Sequence, residues 1–345
     1  MKPRAFSLAL TLLLALAGTC AAASAQVLPR IDPPADAKQE PAAVRKAELV
    51  SRSFQVGETE RWALVHTPES AIRRDGLAPE ALAAAKGAPL VFVFHGHGGT
   101  ARQIARRAPV HRSWPEAVVV YPQGLRTPGA LTDPEGKRFG WQGDADAQDG
   151  RDLAFVDVMI EQLGEELVLD PRRLHATGHS NGGGFTYLLW AERGREFASF
   201  APSAAAATKT LRQAELAPRP VLHFGSPDDP LVRWSWQQRT LDGLKRLFDC
   251  GEGEPWPAVD GVVRFPSPSG ADVFLLQHAG GHRMWPELAE VAVAFFQAHP
   301  LPADSGAEVL DGGPGGDEQA EEREREEGEH PGGQPADGLR RRRAG

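Results

Sequence analysis

A chain of 345 residues with 41% hydrophobic content, 8 Trp and 15 Phe can fill one large core or two average ones. The net charge of −8 is uneven, because residues 303–345 hold 12 acids and 6 bases and so carry −6 of it. The remainder is nearly balanced and shows no basic face, which argues against a nucleic-acid partner.

In chain order, the first 25 residues read as an export signal. Lys2 and Arg4 form a basic start, Ala5 to Gly18 an apolar core, and Ala23-Ser24-Ala25 a small-residue cleavage site. That apolar run is too short to span a bilayer comfortably, so no membrane span is expected in a mature chain beginning near Gln26. A lipoprotein reading through Cys20 fits poorly, because Ala17-Gly18-Thr19 lacks the leucine such a site needs. Removing the leader leaves Cys250 as the one thiol, so no disulfide can form within the chain.

Residues 26–50, rich in Pro, Ala and charge, read as a linker to one folded domain spanning 51–300. Phe54–Val56 and Arg61–Val65 alternate around Gly57, which predicts an antiparallel hairpin at a sheet edge. An Ala-rich segment between Pro68 and Pro89 predicts a short surface helix. The unbroken apolar runs Leu90–Phe94 and Ala117–Tyr121 suit strands buried on both faces of a parallel sheet.

Gly124 to Gly150 has no periodicity, and a loop of that length in a compact domain is functional or disordered. Leu153, Val156, Ile160, Leu163 and Leu167 then repeat at helical spacing, with Asp149 or Asp152 to cap or charge the helix start. Further strands are predicted at 173–177, 197–201, 220–224 and 272–276. A last helix follows, with Pro286 in its first turn and Leu288, Val291 and Phe295 inward. Strands alternating with helices give an α/β domain with a mostly parallel sheet covered on both faces. Residues 301–345 are a charged tail that cannot bury enough to order itself.

The chemistry centres on Gly178-His179-Ser180-Asn181-Gly182. A buried strand ahead of it and a helix behind it, marked by Phe185, Leu188 and Leu189, make the context of a nucleophile elbow. A serine hydroxyl is a weak nucleophile and needs a base, itself oriented by an acid. Asp228, in the loop after strand 220–224, is the first choice for the acid, with Asp229 its near competitor. His282, on the Gly-rich loop after the last strand, is placed to be the base, and His278 reads as packed at the strand end. Two donors should face the developing oxyanion: the Asn181 amide and, from His95-Gly96-His97-Gly98-Gly99, the His97 amide.

His95 and His97 also permit a metal reading, but that needs further ligands at later strand ends and leaves the Gly-Ser-Gly turn unexplained. No metal or other cofactor is called for. Trp141 and Trp285 either line an aromatic acyl pocket or pin their loops, whereas Trp114, Trp234 and Trp236 read as core or lid packing.

With these residues the chain resembles the secreted esterases of the polyhydroxybutyrate depolymerase and feruloyl esterase group. The resemblance rests on His95–Gly99, Val120–Gly124, Asp152–Val156, Thr177–Gly183, Gly225-x-x-Asp228 and Gly281-His282-x-x-Trp285-Pro286, over roughly residues 60–299. It implies the α/β-hydrolase fold, with Ser180 as nucleophile, Asp228 as acid and His282 as base. The substrate it implies is a small or oligomeric carboxylic ester, of feruloyl, acetyl or hydroxyalkanoate type. Arg283 departs from the hydroxyl residue common after the catalytic histidine of that group, and the missing disulfides are a second departure. A peptidase with the same triad, and a non-catalytic exported binding protein, are the other readings of the same residues.

Overall fold

The computed structural model describes residues 48–73 and 87–303. The expected leader, most of the linker, the Ala-rich segment and nearly all of the charged tail lie outside them.

Twelve strands and seven α-helices follow in chain order among the described residues. They are β1 (Val50–Val56), β2 (Thr59–His66), β3 (Ala88–Phe94), α1 (Ala101–Arg107), α2 (Val110–Ser113), β4 (Val118–Pro122), β5 (Leu125–Arg126) and β6 (Phe139–Gly140). Next come α3 (Arg151–Glu166), β7 (Leu169–His179), α4 (Asn181–Arg193), β8 (Ser199–Ser203), α5 (Thr208–Gln213), β9 (Val221–Gly225) and α6 (Trp234–Leu247). The last are β10 (Glu254–Pro255), β11 (Val262–Phe265), β12 (Val273–Gln277) and α7 (Leu288–Ala298).

Ten strands form one sheet in the order β1-β2-β4-β3-β7-β8-β9-β12-β11-β10. The stretch from β4 to β12 is parallel, and β1, β2, β11 and β10 extend it antiparallel at the two edges. The expected hairpin is β1–β2, turning at Gly57, whose φ of 56° suits glycine. The β10–β11 hairpin at the far edge has no counterpart in the sequence reading. Its strands are too short to show a period, and β10 is fully exposed.

Side-chain alternation explains why central strands are unbroken apolar runs. Leu90, Phe92 and Phe94 of β3 point into one core with α3, α4 and α6, while Val91 and Val93 point into a second with α1, α2 and α7. Each face is covered by helices, so neither side of the strand can be polar.

Helix α3 starts after Gly150, held in the left-handed region at φ 67°, and its first amides are capped from the long loop, where Gln142 Oε1 accepts from Asp152 N–H at 2.7 Å and Leu153 N–H at 3.3 Å. The Asp152 carboxylate does not cap it. It is wholly buried and accepts from Arg61 Nη2 at 2.9 Å and from the Gln142 amide at 2.8 Å, joining β2 to the long loop. Helix α7 begins two residues beyond Pro286, at Leu288. No helix among the described residues is long and apolar enough to cross a membrane.

Candidate active site

Strands β3, β7, β8, β9 and β12 lie parallel side by side in the sheet, so the loops leaving their carboxyl ends open on one edge. Ser180 leaves β7 there, at φ 58° and ψ −118°, a sparsely populated region for a residue with a Cβ. The turn is held by Ser180 N–H donating to Ser203 O at 2.8 Å and by Gly184 N–H donating to Ser180 O at 2.8 Å. Its glycines are required by contact. A Cβ on Gly178 would lie 2.4 Å from Gly182 O, and one on Gly182 would lie 2.4 Å from Phe94 O. The helix α4 therefore starts hard against β3, with Ser180 at its tip.

The hydroxyl meets an imidazole there. Ser180 Oγ is 2.9 Å from His282 Nε2, and His282 Nδ1 is 2.8 Å from Asp229 Oδ2. An ionised carboxylate only accepts, so Nδ1 carries the proton and Nε2 presents its lone pair to the serine. Burial alone would favour neutral Asp229. The hydrogen bonds from His282 and from the Leu231 and Val232 amides outweigh it and hold the carboxyl below its ordinary value.

The acid facing His282 is thus Asp229 and not Asp228, the sequence choice. The reason is a tight turn after β9: Asp229 N–H donates to Ser226 O at 3.1 Å, with Pro227 and Asp228 at the two corners. The fourth residue turns back under the histidine, while Asp228 faces solvent. Two partners of this array have no signature in the sequence. Ser226 Oγ accepts from Gly281 N–H at 3.1 Å and so ties the acid loop to the base loop. Gln237 donates to Val232 O at 2.7 Å and approaches Asp229 Oδ2 at 3.4 Å from α6.

Asn181 follows the serine directly, and the loop that carries His97 lies beside it. Asn181 is the first residue of α4, so its amide has no acceptor within the helix. A Cβ on Gly96 would lie 3.5 Å from Ser180 Cβ, which brings the 95–99 loop alongside. That loop is shaped by Gly99 N–H donating to Gly96 O and Gly98 N–H to Phe139 O at 2.7 Å. His95 is buried behind it, donating through Nδ1 to Gly96 O at 2.8 Å and accepting at Nε2 from Gly124 N–H at 3.0 Å. Burial pushes its pKa down to about 4, so the ring is neutral at pH 7. Among the described residues no group of three or more His, Cys, Asp and Glu is arranged to hold a metal ion.

The Gly124–Gly150 segment is an ordered wall. Strands β5 and β6 pair within it, and Asp133 accepts from His97 Nε2 at 3.1 Å and from Arg138 N–H at 2.8 Å. Hydrogen bonds hold the Asp133 carboxyl below its ordinary value against the opposing effect of burial. Trp141 clasps the turn at Ser180: its N–H donates to Asn181 Oδ1 at 2.8 Å and its carbonyl accepts from Asn181 Nδ2 at 3.1 Å.

Neither Trp in the sequence reading offers a ring to substrate. Trp141 borders the cleft, but its indole is buried, donates Nε1–H to His95 O at 2.8 Å and stacks on Phe185 at 5.3 Å. Trp285 is buried in the second core against His278, 5.4 Å between rings. The cleft over Ser180, about 710 Å³, takes its apolar lining from Ile104, Leu131, Val232, Trp236 and Met284. Trp236 is half-exposed, with the Arg233 guanidinium 5.3 Å over its ring.

No protein-family model matches the sequence. The chain is 29% identical over 267 residues, 73% of each protein, to NocK of Nocardia uniformis subsp. tsuyamanensis, provisionally named an esterase. It is 31% identical over 110 residues, 31% of this chain, to feruloyl esterase C of Emericella nidulans. That match spans 37% of the relative's length, so the likeness to the feruloyl esterases covers about a third of them. An acetyl xylan esterase structure from Aspergillus awamori superposes with TM-score 0.51 at 12% identity, over 72% of this chain and 99% of that one. A ferulic acid esterase structure does so with TM-score 0.50 at 13% identity, over 73% and 98%. Likeness at such identity speaks for the fold: the chain is an α/β-hydrolase in architecture, and the relatives it resembles in sequence carry esterase names.

Proposed function

We propose that the chain is an exported serine esterase that hydrolyses small or oligomeric carboxylic esters. The observation that carries this is the run of contacts Ser180 Oγ–His282 Nε2–Asp229 Oδ2, at 2.9 and 2.8 Å, at the mouth of a cleft. As Ser180 attacks the ester carbonyl, His282 Nε2 takes its proton, and Asp229 stabilises the imidazolium without itself being protonated. The amides of Asn181 and His97 receive the oxyanion, helped by the positive end of α4. The alcohol departs with the proton from His282. Water, deprotonated by the same imidazole, then cleaves the acyl-enzyme and returns the serine.

The ester rather than the amide class is favoured by the esterase names of the relatives. Export rests on the leader-like first 25 residues. The test is Ser180→Ala, measured on 4-nitrophenyl acetate beside the matched nitroanilide. Loss of about 10⁵-fold or more in kcat, with an unchanged melting temperature, is expected for removal of a nucleophile. Near wild-type ester turnover by that variant, or a preference of the native chain for the anilide, overturns the reading.

A further inference from the structure

Resting on the esterase reading, the charge around the cleft narrows the substrate. We propose that the ester this site takes carries a free carboxylate, received at the cleft mouth by Arg107 and Arg138. The two arginines come from different walls, Arg107 from the end of α1 and Arg138 from the segment just before β6. Arg138 runs beside the oxyanion loop, its Cδ 3.3 Å from where a Cβ on Gly98 would stand.

Both side chains are exposed, and among the described residues neither guanidinium has an ion-pair partner. Other arginines are spent on carboxylates: Arg52 on Glu166, Arg61 on Asp152, Arg173 on Asp170, Arg193 on Asp157 and Arg264 on Asp272. The cleft lining contains no carboxylate to neutralise the pair. Asp229 sits behind His282, and Asp133 is taken by His97. The surrounding sequence sharpens the contrast. Residues 95–115 hold four arginines and no acid, in a chain whose net charge is −8.

A neutral ester gains nothing from this arrangement, whereas a carboxylate gains twice. A local cationic mouth draws an anion that the rest of an acidic protein repels. Once the ester is seated, a guanidinium fork matches carboxylate geometry with two parallel hydrogen bonds. The apolar lining then accommodates the carbon chain between the carboxylate and the scissile bond.

The experiment compares kcat/KM for matched esters that differ only in whether that carboxylate is free or methyl-capped. Monomethyl adipate against dimethyl adipate places the charge on the acyl part. 6-Acetoxyhexanoate against its methyl ester places it on the alcohol part, so the two pairs tell which side the arginines serve. In one pair the free acid should be preferred on the order of tenfold at low salt, with the preference fading as salt screens it. Arg107→Ala/Arg138→Ala should bring that ratio close to one, and Arg107→Glu/Arg138→Glu should invert it. Because the readout is a ratio within each variant, a general loss of activity does not imitate the result. Equal turnover of free and capped esters in both pairs, or a ratio the variants leave unchanged, overturns the proposal alone. Failure to hydrolyse any ester, 4-nitrophenyl acetate included, overturns the esterase reading and this inference with it.

Discussion

Replacing Asp229 by Asn is the sharpest test of the site, because the structure dictates which way the amide must face. Oδ1 of Asp229 accepts from the Leu231 and Val232 amides at 2.8 and 2.9 Å, so an Asn there keeps its carbonyl on those donors. Its NH₂ group is then left facing His282 Nδ1, the atom now 2.8 Å from Oδ2. A donor at that place forces the proton of neutral His282 onto Nε2, where it points at Ser180 and can accept nothing. The geometry survives and the tautomer is wrong, a change worth about 10⁴ in kcat in a serine protease with the same three groups. That corresponds to about 5 kcal/mol of transition-state stabilisation. Asp228→Asn, altered one residue away on the exposed corner of the same turn, should stay within about threefold of wild type. The assay is kcat on 4-nitrophenyl acetate for both variants, with circular dichroism and thermal melts to verify folding. A folded Asp229→Asn enzyme with more than about a tenth of wild-type kcat, or a larger loss at Asp228, would refute the assignment.

Three further outcomes are expected. Asp133→Asn weakens the grip on His97 and so on the oxyanion loop, and kcat should fall about tenfold with KM little changed; an equal rise in KM would mean that Asp133 serves binding instead. Asp152→Ala strands the Arg61 guanidinium in the core and should cost about 3–5 kcal/mol in chemical denaturation, a figure that a loss below 1 kcal/mol would contradict. Burial holds His95, His111 and His223 down to about 4, while the unfolded chain protonates them near 6.5; the unfolded state therefore binds more protons between those values, and stability must fall as pH falls through that window. Each such group contributes up to about 3 kcal/mol, so denaturation midpoints at pH 7.5, 5.5 and 4.5 should decline in order, and a flat profile would show these rings to be solvated.

Local pattern and chain order carried much of the architecture. Leu90–Phe94 reads as a doubly buried strand because neighbouring side chains enter two different cores, and the structure places it at the sheet centre. The Gly-x-Ser-x-Gly turn is legible because close backbone approach leaves composition no choice. The acid was ambiguous since Asp228 and Asp229 are adjacent, and only the turn begun at Ser226 decides which of them faces inward. Trp141 and Trp285 are a similar case, because an indole beside an active site has the same letter whether it lines the cleft or braces it. Helix α6 went unread because its buried face includes Gln237 and Thr240, polar residues spent on partners within the protein. Asp133 and Ser226 carry no motif, and their roles exist only once distant loops meet.

The wall formed by residues 124–141 is fastened at both ends, Gly124 to the ring of His95 and Trp141 to the side chain of Asn181. Between those anchors, Pro128 to Thr132 and Arg138 border the cleft. The exposed tip of that segment, Ala130 to Thr132, takes no part in this fastening, so its chemistry can be rewritten by mutation while Asp133 keeps its hold on His97 and Ser180 keeps its alignment. A scaffold clasped in this way can alter what its cleft admits without disturbing the turn that carries Ser180.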